Sequence, residues 1–202
     1  EGWYNIGTIH LRSKAFPLAK AALSKSLEIK ADDAFALNNL GSACEGLGEF
    51  SAAATHYVRA SYSRPTNESF ATNAGFAYVR LKKSAEAIPF LERSVTLGNN
   101  STEIIIALAN AYVSTAQRSR AAELYENAAK AGVADAGLWF NIAVLRKQMG
   151  NVDGALEAYS KSEELNPNDP AIDINIGLIY VEKGDYARAG ERFICCLPSA
   201  PR

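Results

Sequence analysis

Cysteine, methionine and histidine are scarce in this sequence, at three, one and two residues in 202. Two of the cysteines, Cys195 and Cys196, are adjacent, a spacing at which a bridge is strained, so a framework of stabilising disulfides is excluded. Neither C-x-x-C nor H-E-x-x-H spacing occurs, and no metal or other cofactor is expected. Net charge is also lacking. Lys plus Arg number 21 against 22 Asp plus Glu, which leaves no overall field to gather nucleic acid. The densest basic stretch, Arg80, Lys82 and Lys83, is short and reads as a solvated helix end. No run of about 18 apolar residues appears, so membrane insertion is not expected. A basic start leading into an apolar core and a small-residue cleavage site is absent as well. The sequence opens on Glu1 without an initiator methionine, and Trp3 already belongs to a predicted helix, so residues upstream are expected. A cytoplasmic location is slightly favoured, with a periplasmic or anchored form left open by those residues.

Apolar residues are abundant, at 48%, which is far above what a disordered chain carries. They recur with a period. Ala19, Ala53, Ala87, Ala121, Ala155 and Ala189 each lie 34 residues from the next. The same offset aligns small residues at Gly7, Gly41, Gly75, Ala109, Ala143 and Gly177, and again at Ser26, Ala60, Ser94, Ala128, Ser162 and Cys196. Large residues recur at Leu23, Tyr57, Leu91, Tyr125, Tyr159 and Phe193. Such alternation suits closely packed helices, because a small residue on one helix makes the hole for a large one on its neighbour. Within each unit two apolar stretches with helical spacing are separated by turn residues, as at Gly46-Leu47-Gly48, Met149-Gly150-Asn151 and Lys183-Gly184-Asp185. Asn166-Pro167 and Arg64-Pro65 fall at unit ends. Pro89 is placed near the start of a second helix, where its missing N–H costs little.

The phrase Trp3-Tyr4-Asn5-Ile6-Gly7, its counterpart Trp139-Phe140-Asn141-Ile142-Ala143, and the closing prolines Pro65, Pro167 and Pro201 resemble the tetratricopeptide repeat pattern. Departures are local: Ala71 and Asp173 replace a large residue, Arg146 and His10 a tyrosine, and Asn99 and Val133 the proline. The resemblance implies an all-α fold, a right-handed superhelical solenoid of antiparallel helix pairs. It covers a single domain, residues 1–202, in repeats at approximately 1–33, 34–67, 68–101, 102–135, 136–169 and 170–202. The resemblance also implies a concave face along the first helix of each pair, where partners bind.

At about 100° per residue, Leu37, Leu40, Gly41 and Cys44 form one side of a first helix, and Phe35, Asn38, Asn39, Ser42, Glu45 and Gly46 the other. The second side is the expected groove. Read down the stack it carries an asparagine ladder, Asn5, Asn39, Asn73, Asn141 and Asn175, interrupted by Ala107. The ladder resembles that of the repeat arm of the O-linked N-acetylglucosamine transferase, which holds an extended peptide backbone. A carboxamide both donates and accepts, so it can satisfy peptide N–H and C=O groups. The alternative is that these side chains bond only their own helices. The lining is polar early, with Asn38, Ser42, Glu45, Ser69, Thr72 and Arg80, beside Phe76 and Asn110. Later it becomes apolar, with Ile106, Val113, Phe140, Val144, Ile174, Leu178 and Val181. An extended or amphipathic protein segment is the expected ligand. The lysine clamp of the family's chaperone adaptors is not expected, because Tyr4, Asn38, Thr72, Glu1, Phe35 and Ser69 occupy its positions. Alanine at a ladder position is expected to leave stability nearly unchanged.

No nucleophile, base and oxyanion site are brought together by spacing. His10 takes the packing position of Tyr78, Tyr112 and Tyr180, and His56 falls on a second helix with no paired Ser or Cys. The expectation is therefore a non-catalytic scaffold in a larger assembly, such as a secretion, pilus or motility, trafficking or signalling complex. The alternatives are the substrate-binding arm of a larger enzyme such as a glycosyltransferase, and a self-associating structural spacer. Self-association would use the C-terminal end, where Ala189, Phe193, Ile194, Cys196 and Leu197 lead to Pro198 with no polar capping helix.

Overall fold

The computed structural model describes residues 1–132, 135–167 and 169–196. Val133, Leu197, Pro198 and Pro201, singled out in the sequence, lie outside the described residues. Among these, twelve α-helices follow one another: α1 Gly2–Arg12, α2 Phe16–Ile29, α3 Ala34–Gly46, α4 Phe50–Ser63, α5 Glu68–Arg80, α6 Ser84–Thr96, α7 Thr102–Ser114, α8 Arg118–Lys130, α9 Ala136–Gln148, α10 Val152–Leu165, α11 Pro170–Glu182 and α12 Tyr186–Cys195. The odd-numbered helices begin where the 34-residue period placed the repeats.

Local chemistry sets these boundaries. Asp33, Asn67, Asp135 and Asp169 stand one residue before α3, α5, α9 and α11, and each carboxylate or carboxamide oxygen accepts a backbone N–H of the first turn. This satisfies donors that the helix itself leaves free. Within each pair the turn holds one residue with positive φ, at Lys14, Gly48, Lys82, Ala116, Gly150 and Gly184. Glycine adopts that conformation without the Cβ penalty that Lys14, Lys82 and Ala116 bear. Asn99, which replaces the unit-end proline, follows Gly98, whose φ of +105° ends α6 instead. Pro89 departs from its expected place. It is inside α6, past the first turn, and its ring is tolerated because Pro89 and Ala85, the residue one turn earlier, are both exposed. The carbonyl freed by the missing N–H can bond water there.

The chain divides into two compact units, Glu1–Gln117 and Arg118–Arg202. In the first, packing runs between consecutive helices from α1 to α7 and between first helices, α1 with α3 and α5 with α7. In the second, consecutive helices from α8 to α12 pack in the same way. Each unit is thus an open stack of helix pairs and not a bundle around one shared core.

The small-and-large alternation is realised as contact. A Cβ placed on Gly7 would lie 2.6 Å from Leu23 Cγ, on Gly41 2.7 Å from Tyr57 Cδ1, on Gly75 2.5 Å from Leu91 Cδ2, and on Gly177 2.4 Å from Phe193 Cε1. The six alanines at the 34-residue spacing are at most 2% exposed. Asp173, one of the departures from the repeat pattern, accepts a hydrogen bond from Arg192 at 2.8 Å, while Glu163 accepts another at 2.6 Å. That pairing ties α12 to α10 and α11 and keeps the guanidinium protonated well above its ordinary range.

Candidate peptide-binding groove

In the first unit side chains on the groove side of α1, α3 and α5 are bonded across repeats. Asn39 Nδ2 donates to Thr8 Oγ1 at 3.2 Å, and Asn73 Nδ2 donates to Asn38 Oδ1 at 2.8 Å. Each of these carboxamides reaches back to the preceding first helix. Asn5 is exposed. The expectation of neutral alanine substitutions is therefore revised. Removing Asn73 deletes a bond between α5 and α3 worth about 0.5–1.5 kcal/mol.

Other predicted lining residues are more occupied than their sequence suggests. The Thr72 hydroxyl donates to the Glu68 carbonyl and to its carboxylate at 2.7 Å, and lies 2.6 Å from Ser94 Oγ. Asn99 Nδ2 donates to the same carboxylate at 2.6 Å. These hydrogen bonds, that from Thr72 foremost, hold the Glu68 carboxyl below the usual carboxylate range. Tyr57 donates toward Ser42 Oγ and Glu45 Oε2, each at 3.0 Å. Glu45 Oε1 pairs with Arg80 Nε at 3.2 Å, and the Arg80 guanidinium stacks over Phe50 at 5.0 Å. A concavity of about 480 Å³ lies beside this pair, lined by Glu45, Asn73, Phe76, Val79, Arg80 and Glu103. Ile106 is half-buried and Asn110 exposed.

In the second unit the groove side is apolar. Ile174, Leu178 and Val181, at i, i+4 and i+7 on α11, are 43%, 43% and 39% exposed. Phe140 and Val144 stand at the matching positions of α9 and are half-buried. Lys147 Nζ pairs with Glu182 Oε1 at 2.9 Å, a link between α9 and α11. The Phe140 ring meets Tyr159 edge-on at 5.6 Å, so it supports the helix pair as well as lining the surface. Burial pushes the Tyr159 phenol up to about 12. Asn141 is half-buried with no side-chain bond among the described residues, whereas Asn175 donates to the Ala171 carbonyl of its own helix at 2.8 Å. The ladder thus has three local environments: cross-repeat, own-helix and unbonded.

Sequence reasoning missed Glu103 and Val79 as lining, because neither differs in type from ordinary helix-surface residues. It also missed the caps at Asp33, Asn67, Asp135 and Asp169, which the 34-residue period alone would have aligned. Among the described residues no group of His, Cys, Asp and Glu is placed to hold a metal ion. Among them, too, no helix is long and apolar enough to cross a membrane.

Comparison with known proteins agrees with this architecture. Family models described as tetratricopeptide repeat match residues 1–33 and 104–136, and one described as TPR repeat matches residues 143–184. Stress-induced-phosphoprotein 1 of Caenorhabditis elegans is 28% identical over 78% of this chain and 49% of its own length. Protein O-mannosyl-transferase TMTC3 of Mus musculus is 25% identical over 78% of this chain and 19% of its own. The chain therefore spans about half or less of these curated relatives. The crystal structure of MamA aligns with a TM-score of 0.73 at 24% identity, over 78% of this chain and 92% of that one. YrrB, described as a TPR protein with an unusual peptide-binding site, aligns with a TM-score of 0.71 at 21% identity, over 87% of this chain and 90% of that one. The solved structures share the fold, and, with the repeat models together matching more than half of its residues, the chain belongs to the tetratricopeptide repeat family.

Proposed function

We propose that this chain is a protein-binding scaffold that holds an extended or amphipathic segment of a partner protein along the groove side of its first helices, within a larger assembly. The observation that carries the reading is the apolar row Ile174, Leu178 and Val181, each more than a third exposed on one face of α11, with Phe140 and Val144 at the matching positions of α9. An exposed row of large aliphatic side chains usually marks a docking face. Within the same unit Asn141, whose carboxamide has no side-chain bond among the described residues, adds a donor and an acceptor for a peptide backbone. YrrB, a TPR protein with an unusual peptide-binding site, supports peptide binding as a use of this fold.

The test is to select peptides against the chain by display and titrate the best of them against variants. Leu178→Asp leaves the small-and-large contacts intact and removes an apolar anchor. We expect affinity to fall about thirty-fold or more, the loss for an anchor worth about 2 kcal/mol. Phe140→Ala is a poorer test, since its ring also packs on Tyr159. Unchanged binding by Leu178→Asp would remove the groove from the account.

A second reading is that the repeats are the substrate-binding arm of a larger enzyme. The match to TMTC3, a protein whose name is that of a transferase, favours it, and only 19% of that protein is covered. Transferase assays on the full-length protein separate the two readings.

A further inference from the structure

The repeats differ from one another at one recurrent contact, and the difference leaves a cavity. In the first three pairs the first residue of the second helix faces the end of the following first helix. In the first pair this residue is Phe16, whose ring covers Gly46 so closely that a Cβ there would lie 2.5 Å from its Cδ1. In the second pair it is Phe50, under the Arg80 guanidinium at 5.0 Å. In the third pair the equivalent residues, 34 positions further on, are Ser84 and Ser114. No ring is present, and both serines line a cavity of about 700 Å³. Val79, Ala85, Ala107 and Ala111 are its apolar lining, while Lys82, Lys83, Asn110 and Glu86 are polar lining. Neither lysine has a carboxylate partner among the described residues, and both are exposed.

We infer that this cavity receives an aromatic side chain of the bound partner, with an acidic neighbour meeting Lys82 and Lys83. The ligand's ring takes the place that Phe16 and Phe50 fill from within the chain, and the two ammonium groups outnumber the single Glu86 carboxylate. This deepens the proposed function and rests on it, because Asn110 belongs to both the cavity and the groove. The apolar and cationic lining together select against a basic or small side chain.

The experiment is a titration of the isotopically labelled protein with the tripeptide acetyl-Asp-Phe-Asp-amide, followed by amide chemical shifts. The comparison peptides are acetyl-Asp-Ala-Asp-amide and acetyl-Lys-Phe-Lys-amide. Shifts centred on Val79, Ala107 and Ala111, with affinity about ten-fold above both comparison peptides, are expected. Ser84→Phe restores the internal ring. It should weaken binding by about ten-fold or more while raising the melting temperature, so the loss is not one of folding. The double variant Lys82→Glu, Lys83→Glu should reverse the preference toward acetyl-Lys-Phe-Lys-amide. Equal binding by Ser84→Phe, or shifts confined to other residues, would overturn the inference. Display-selected peptides that still respond to Leu178→Asp would show that the groove reading survives such a failure.

Discussion

Replacing Gly41 by alanine tests the packing logic at a single methyl group. The added Cβ would stand 2.7 Å from Tyr57 Cδ1 and 2.8 Å from Cε1, well inside van der Waals contact. Tyr57 is only 4% exposed and its hydroxyl is held by Ser42 and Glu45, so the ring cannot swing away without loosening those bonds. Overpacking of this kind costs about 1–3 kcal/mol. Against it stands the helix-forming advantage of alanine over glycine, about 1 kcal/mol. The net expectation is a loss of up to about 2 kcal/mol. Gly190, inside α12, is the control, because a Cβ there meets nothing within 4 Å and only the propensity gain remains. Urea melts of Gly41→Ala and Gly190→Ala should therefore move in opposite directions. Adding Tyr57→Phe frees the ring and should reduce the cost of Gly41→Ala, a coupling that a double-mutant cycle reads directly. If Gly41→Ala stabilised the protein as Gly190→Ala does, the small-and-large contact would not constrain the fold.

Further outcomes follow from other parts of the structure. Ala116→Gly should raise stability by up to about 1 kcal/mol in urea melts, since φ at Ala116 is +62° and glycine holds the equivalent turn at Gly48, Gly150 and Gly184; a loss would contradict the strain. Burial first, then the charges of Arg59 and Lys20, lowers the His56 pKa below its ordinary 6.5, while Glu49 opposes them. The unfolded chain then binds a proton that the folded one resists, so this group costs stability as pH falls below about 6.5 and costs none above it. His56→Gln should flatten the melting temperature between about pH 7.5 and 5.5, and equal slopes in both proteins would exclude His56 as the cause. Asn73→Ala should lower stability by about 0.5–1.5 kcal/mol through its bond to Asn38, and a silent melt would show that the bond contributes nothing.

Much of the fold was legible because the period is strict. Once Ala19 is aligned with Ala53 and its successors, the helices, the turns and the pairs Gly41 with Tyr57 and Gly75 with Leu91 all follow from one register. Pro89 was misplaced because propensity cannot say how many residues precede it in a helix. The division between Gln117 and Arg118 was not anticipated, since the period runs through it without a change. The groove side was legible as a face but not in its bonding. Asn39, Asn73 and Asn175 are identical in sequence logic, yet two reach the preceding helix and one bonds its own. That choice depends on what stands opposite, Thr8 or Asn38, and on side-chain rotamers that periodicity does not encode. The cavity beside Ser84 was invisible for a related reason: it appears only when Ser84 is compared with Phe16 and Phe50 across a contact.

The proposed binding surface is the groove side of the first helices. It is tested most directly by hydrogen exchange and amide shift mapping of the chain with a display-selected peptide at saturation. The account predicts perturbation along α9 and α11, centred on Asn141, Val144, Ile174 and Leu178, with α10 and the second helices α2 and α4 unaffected. A footprint on those second helices, with Ile174 and Leu178 unchanged, would contradict it.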